Sequence, residues 1–198
     1  AMTTKASVQP GSLFEPVLVA KGLSVFTRGD GERPFRSMRY QVDLFLRKCY
    51  FERKCRLNTA VGTSVPEVAV IVLTYKHEDY IAECLRPVLS QRGQFRMRVI
   101  IIDDASPDGT AQVAKSVIAE YLDERIEINF QVNTQNVGVV ANLATAIRLA
   151  AGCDYLTFCE GDDFWCSNQR IQEHIDFLHE RPDAVLSFNT IEFCEADG

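Results

Sequence analysis

The feature that most constrains this chain is a pair of unbroken apolar runs, "VAVIVL" at Val68–Leu73 and "VIII" at Val99–Ile102, each ending at a polar or acidic residue. A strand with water on one side alternates apolar and polar side chains. Continuous runs of β-branched residues are instead the signature of strands covered on both faces, as in a parallel sheet sandwiched by helices. The intervening segments agree. Helical patterns fall at Asp79–Gln91, with Pro87 as an expected kink, in "PDGTAQVAKSVIAEYL", in "GVVANLATAIRLA" closed by Gly152, and in "NQRIQEHIDFLHE" up to Pro182. Further strands are expected at "RIEINFQV", "DYLTFC" and "AVLSFN". Regular alternation of strand and helix predicts an α/β fold with a mostly parallel sheet, since each helical crossover returns the chain to the same edge.

Residues 66–198 carry this pattern, and residues 1–65 read as an N-terminal extension. The extension offers one or two short strands in "VLVAKGLSVF" and a turn-rich "TRGDGERP". Over 36–56 lies an amphipathic helix whose apolar stripe is Met38, Val42, Phe45, Leu46, Cys49 and Tyr50, followed by a linker, "NTAVGTSVP". Residues 1–60 contain 11 Lys and Arg against 5 Asp and Glu, and the remainder contains 10 against 22. The acidic part excludes general nucleic-acid binding, which needs a basic face. The basic helix has two readings, packing on this protein or a further domain, and peripheral contact with an anionic membrane surface. No apolar stretch approaches the ~20 residues of a membrane-spanning helix. Seven cysteines without a CxxC pair or zinc spacing favour a reduced, cytoplasmic setting.

Ligands of open α/β sheets bind beyond the carboxyl ends of the strands. Two strands end there in acids, Asp103–Asp104 and, after "YLTFC", Glu160, Asp162 and Asp163. Neighbouring carboxylates repel, and a fold keeps them together only with a divalent cation, a shared proton or hydrogen-bond donors. A hard cation, Mn2+ or Mg2+, suits carboxylate oxygens and completes its shell with substrate phosphates. No GxxxxGK[ST] or GxGxxG loop is present to cradle phosphate through glycines. A receiver-like regulatory domain also gathers acids around Mg2+, but "NFQVNTQN" lacks an Asp where a phospho-acceptor would stand.

The series "VIVLTYKHEDYIAECLRPVLSQ", "VIIIDDASPDGT", "QNVGVVANLATAI" and "YLTFCEGDDFW" resembles the family 2 glycosyltransferases over roughly residues 66–189. The resemblance implies a GT-A fold, the Rossmann-like arrangement of nucleotide-diphospho-sugar transferases, and inverting transfer of a sugar to an acceptor hydroxyl. It implies that Leu73, Thr74 and Tyr75 cradle the nucleotide base, that Asp104 pairs with the base, and that Asn136 and Asn142 mark a loop and helix near the donor. Asp162 and Asp163 match the DXD acids that serve ribose and metal, with Asp163 in direct metal contact and Glu160 in the first acidic place, where Asp is more usual. The base that activates the acceptor lies in the family beyond the DXD acids, so it is expected after Gly198; Glu192, Glu195 and Asp197 are read as solvated. The implied partners are a UDP-sugar, or another nucleotide-diphospho-sugar, and a glycan or lipid-linked acceptor in polysaccharide assembly at the inner face of the membrane. A non-catalytic nucleotide-sugar-binding module remains the alternative.

Among the other polar and aromatic residues, His174 and His179 stand ~140° apart on a helix and do not face one metal. His77 is read equally as a ligand contact or a helix-start residue. Trp165 and Phe164 are read as sugar contacts or packing anchors, and the cysteines as core filler.

Overall fold

The computed structural model describes residues 19–21 and 65–189. In chain order these form β1 (Val19–Lys21), β2 (Glu67–Thr74), α1 (Ile81–Leu89), β3 (Arg96–Asp103), α2 (Thr110–Ala119), β4 (Ile126–Val132), α3 (Val139–Leu149), β5 (Tyr155–Phe158), α4 (Arg170–Glu180) and β6 (Leu186–Ser187). The strands join one sheet in the order β4-β3-β2-β5-β1-β6. β4, β3, β2 and β5 run parallel, whereas β1 is antiparallel to both β5 and β6. A strand from the N-terminal extension therefore lies inside the sheet. The basic amphipathic segment at 36–56 falls outside the described residues.

The apolar runs behave as two-sided strands. On one face, Val68, Val70 and Val72 join Met97, Val99 and Ile101 beneath α1, α2 and α4, through Ile81, Leu85, Val88, Ala114, Val117, Ile171, Ile175 and Leu178. On the other, Ala69, Ile71, Ile100, Ile102 and Leu156 pack against Ala146 and Ala150 at α3. The alternation of strand side chains divides each run between two cores. Every residue from Val68 to Val72 is at most 1% exposed, and burial of each Val or Ile is worth ~1.5–3 kcal/mol. That central position anchors β2, and the loops that leave its carboxyl end inherit the rigidity.

Elements are shorter than the periodicity predicts. α1 occupies Ile81–Leu89 with Pro87 inside it, and the helix stops two residues beyond the proline. Gly152 has φ +95°, as a residue that reverses the chain after a helix requires. The last strand is only Leu186–Ser187, and Phe188 beside it is 68% exposed. Among the described residues no helix is long and apolar enough to cross a membrane.

Candidate functional site

The carboxyl ends of the parallel strands hold their loops by continuing the ladder past the last strand residues. Asp104 N donates to Thr74 O, Asn133 N to Asp103 O, Cys159 N to Ile71 O and Gly161 N to Leu73 O. Both acid-bearing loops are thus hung from the central strands on one edge of the sheet. A cavity of about 240 Å3 opens there, lined by Leu73, Thr74, Tyr75, Asp104 and Asn136, with His77, Asn142 and Glu160 completing the wall. Five of the residues expected to bind nucleotide meet in it. Its size is below the roughly 300–1,000 Å3 of a full ligand cleft.

The two acid pairs have opposite environments. Asp103 is fully buried, and its Oδ1 accepts the Ser106 N–H. Asp104 is 5% exposed; its Oδ1 accepts from Asn133 Nδ2 and from Val137 N, and its Oδ2 from Gly138 N, all at 2.8–2.9 Å. Burial pushes the Asp104 carboxyl upward, but the hydrogen bonds from Val137, Asn142, Asn133 and Gly138 outweigh it and hold the group below the ordinary aspartate value. Donors supply the compensation at Asp104, whereas the buried Asp103 Oδ2 has no hydrogen-bond partner among the described residues. Asp104 thus fixes the entry to α3 by holding Val137 N and the N–H of the N-cap Gly138, and no side-chain capping hydrogen bond is made at this helix. Gly138 has φ +84°, a left-handed conformation that favours glycine. Asn142 is buried, and its Oδ1 accepts from Asn133 Nδ2, so it belongs to this network and not to a cap.

Asp162 and Asp163 are exposed. They lie outside the cavity lining, past Glu160, on a turn closed by Asp163 N donating to Glu160 O. His77 connects the cavity to this turn. Its Nδ1 is 3.2 Å from Thr74 Oγ1, and its Nε2 is 3.7 Å from Asp162 Oδ2. Under the turn, the buried Cys84 thiol donates to Glu160 O. The loops after β2 and β3 hold two non-glycine residues in the left-handed region, Lys76 (φ 61°) and Ala105 (φ 60°), and Lys76 N donates to Ser106 Oγ at 2.9 Å. Such conformations cost ~1 kcal/mol or more each and collect at ligand sites.

Among the described residues no group of three His, Cys, Asp or Glu side chains is arranged to hold a metal ion. A Mg2+-like cation taken with substrate phosphates needs only one or two carboxylates from the protein. The exposed Asp162 and Asp163 supply that number, so the donor set fits a cation that arrives with a diphosphate and does not fit one caged by protein alone.

The remaining candidates resolve into packing. His174 Nδ1 pairs with Ser187 Oγ, and His179 Nε2 with Tyr155 Oη. Trp165 is 5% exposed with the Arg170 guanidinium 5.2 Å from its ring centre, an anchor, whereas Phe164 is 47% exposed. Cys84, Cys153 and Cys159 are buried and Cys166 is exposed. A larger recess of about 580 Å3 opens where α1 and α2 end, beside Trp165–Asn168. It holds none of the expected acids, and its Arg86 is already paired with Glu120. Size alone is a poor guide to the site here. Asn133 and Gly161 were not singled out from the sequence. The signals for them are a polar residue just past a buried strand and a glycine inside an acidic turn.

A family model described as glycosyl transferase family 2 matches residues 69–197. The chain is 32% identical over 133 residues to a putative teichuronic acid biosynthesis glycosyltransferase, TuaG, of Bacillus subtilis, covering 67% of this chain and 50% of TuaG. Among solved structures it is similar to S. aureus TarS in complex with UDP (TM-score 0.50, 23% identity, 59% of this chain and 33% of that one). It is also similar to the mannosyltransferase PcManGT of Pyrobaculum calidifontis in complex with GDP-Man and Mn2+ (TM-score 0.50, 24% identity, 70% and 40%). At those identities the two structures show a shared GT-A fold. The chain spans between a third and a half of the length of these proteins.

Proposed function

The chain belongs to glycosyl transferase family 2, and on that premise we propose that it is the donor-binding part of a metal-dependent, inverting glycosyltransferase acting on a nucleotide-diphospho-sugar. One observation carries the reading: a cavity walled by Leu73, Thr74, Tyr75, Asp104 and Asn136 opens beside a turn that leaves Asp162 and Asp163 exposed. The cavity takes the base and ribose. Leu73 and Tyr75 give apolar contact, and Asp104, held ionised by its donors, keeps the wall in shape and retains acceptor capacity toward a base N–H. Asp162 and Asp163 stand where the diphosphate would emerge, and as carboxylates they would repel it without a cation between them. Mn2+ or Mg2+, held by these two residues, would neutralise charge growing on the departing nucleotide diphosphate. The exposed turn keeps the sugar end accessible to an acceptor hydroxyl, whose proton goes to a carboxylate base that we assign to no described residue.

UDP is the first donor carrier to test, with GDP the second, given the ligands in the TarS and PcManGT structures. The name of TuaG supports polysaccharide assembly as the setting, and we place it on the cytoplasmic face of a membrane, with segment 36–56 as the contact. Calorimetric titration with UDP, GDP and dTDP, in Mn2+ and then in EDTA, tests the reading alongside Asp163→Ala. Binding of one nucleotide that needs the metal and disappears in Asp163→Ala is the expected result. A correctly folded chain that binds none of the three would sink the donor-site reading and leave a non-catalytic module.

A further inference from the structure

His77 is held at three points. Its N–H donates to Thr110 Oγ1 at 2.9 Å, a hydroxyl that in turn donates to Asp108 Oδ1. Its carbonyl accepts the Tyr80 and Ile81 N–H groups at the start of α1. Its ring reaches Thr74 Oγ1 through Nδ1, at the last residue of β2. The backbone and one ring nitrogen are therefore committed to rigid elements, and the other nitrogen, Nε2, faces Asp162 Oδ2 across 3.7 Å. That separation is longer than a hydrogen bond, and the side chains are 22% and 49% exposed for His77 and Asp162. A rotation of the more exposed aspartate would be needed to close the gap. The turn is packed directly onto this ring: a Cβ at Gly161 would lie 2.6 Å from both His77 Nδ1 and Thr74 Oγ1. Only glycine lets the acidic turn approach so closely.

We propose that His77 is a positioning residue for the donor cation, its Nε2–H orienting the Asp162 carboxylate while Thr74 Oγ1–H donates to Nδ1 and sets that tautomer. The inference rests on the donor-site reading above and assigns a role within it. Partners that orient a ligating carboxylate or imidazole typically affect metal affinity by ten- to a hundredfold. The linkage also joins the two halves of the site, since Thr74 and His77 line the cavity and Asp162 stands outside it.

The test uses the full chain and three variants, His77→Ala, His77→Asn and His77→Gln. An asparagine amide sits near the place of Nδ1 and a glutamine amide near that of Nε2. Mn2+ affinity in the presence of nucleotide is read by calorimetry and by the electron paramagnetic resonance signal of free Mn2+. His77→Ala and His77→Asn are expected to weaken Mn2+ binding about tenfold or more. His77→Gln should recover most of that loss. Equal Mn2+ affinity in all three variants and the wild type would overturn the proposal. So would losses as large in His77→Gln as in His77→Ala, which would make the ring a plain wall of the cavity. Absence of metal-dependent binding in the wild type would remove the donor-site reading, and this proposal with it, whereas a wild type that binds beside unaffected variants removes this proposal alone.

Discussion

The acid pair at Asp103–Asp104 and the pair at Asp162–Asp163 look alike in the sequence and occupy the same edge of the sheet, yet they are built for different ends. The first pair is buried; Ser106 takes up Asp103 Oδ1, and Asn133, Val137 and Gly138 take up both Asp104 oxygens, while Asp103 Oδ2 has no hydrogen-bond partner among the described residues. The second is exposed on a turn. Charge that a fold neutralises with its own donors is structural charge, and it fixes the shape of a wall. One sheet edge thus contains both buried and exposed carboxylates, and only the environment of each tells them apart.

The comparison breaks most decisively at Asp104. Asp104→Ala would leave the Val137 and Gly138 N–H groups and the Asn133 amide without their acceptor, and orphaned buried donors cost ~1–3 kcal/mol each. We expect a loss of about 3 kcal/mol in urea unfolding, together with loss of nucleotide binding as the 133–138 loop is released. A midpoint unchanged from wild type would show that the loop does not depend on this carboxylate. Acid adds to the effect. The folded Asp104 value lies below the unfolded one, so its stabilisation is present above about pH 4 and is lost as pH falls through the folded value.

A second source of acid lability lies away from the site and serves as a control on the comparison. Burial, reinforced by the nearby Arg170 charge, pushes His174 down to about 4. Its ordinary value is about 6.5, so the folded state prefers the neutral ring. Stability from this group is complete above about pH 6.5 and falls as the pH drops toward 4, by on the order of 2–3 kcal/mol. His174→Gln should flatten the stability profile between those limits while leaving nucleotide binding in place. An unchanged slope in that variant would assign the acid sensitivity elsewhere.

The smallest stability effect belongs to the exposed pair. Asp162→Asn and Asp163→Asn should shift unfolding by no more than about 0.5 kcal/mol while removing the metal-dependent part of nucleotide binding. A large stability loss in either would erase the distinction between scaffold and contact acids.

Much of this architecture was legible beforehand. Val68–Leu73 and Val99–Ile102 announced two-sided strands, because no polar residue interrupts them, and the ends of those strands located Thr74 and Asp104 at a common edge. Other features were not legible for identifiable reasons. The end of α1 at Leu89 reflects Pro87 and the packing around it, which periodicity does not register. The insertion of β1 between β5 and β6 depends on pairing across more than a hundred residues, and three-residue strands carry no pattern of their own.

By itself, then, the sequence determined the α/β class, the parallel core and the edge at which acids collect, because those follow from local periodicity and the reach of a crossover. The tertiary structure alone decided which acids are buried and which are exposed. That outcome depends on whether the chain from Asn133 to Gly138 folds back onto Asp104, about thirty residues away, and whether Gly161 lets the acidic turn settle on His77. Desolvation and hydrogen-bond partners are properties of assembled neighbours, and a run of letters does not contain them.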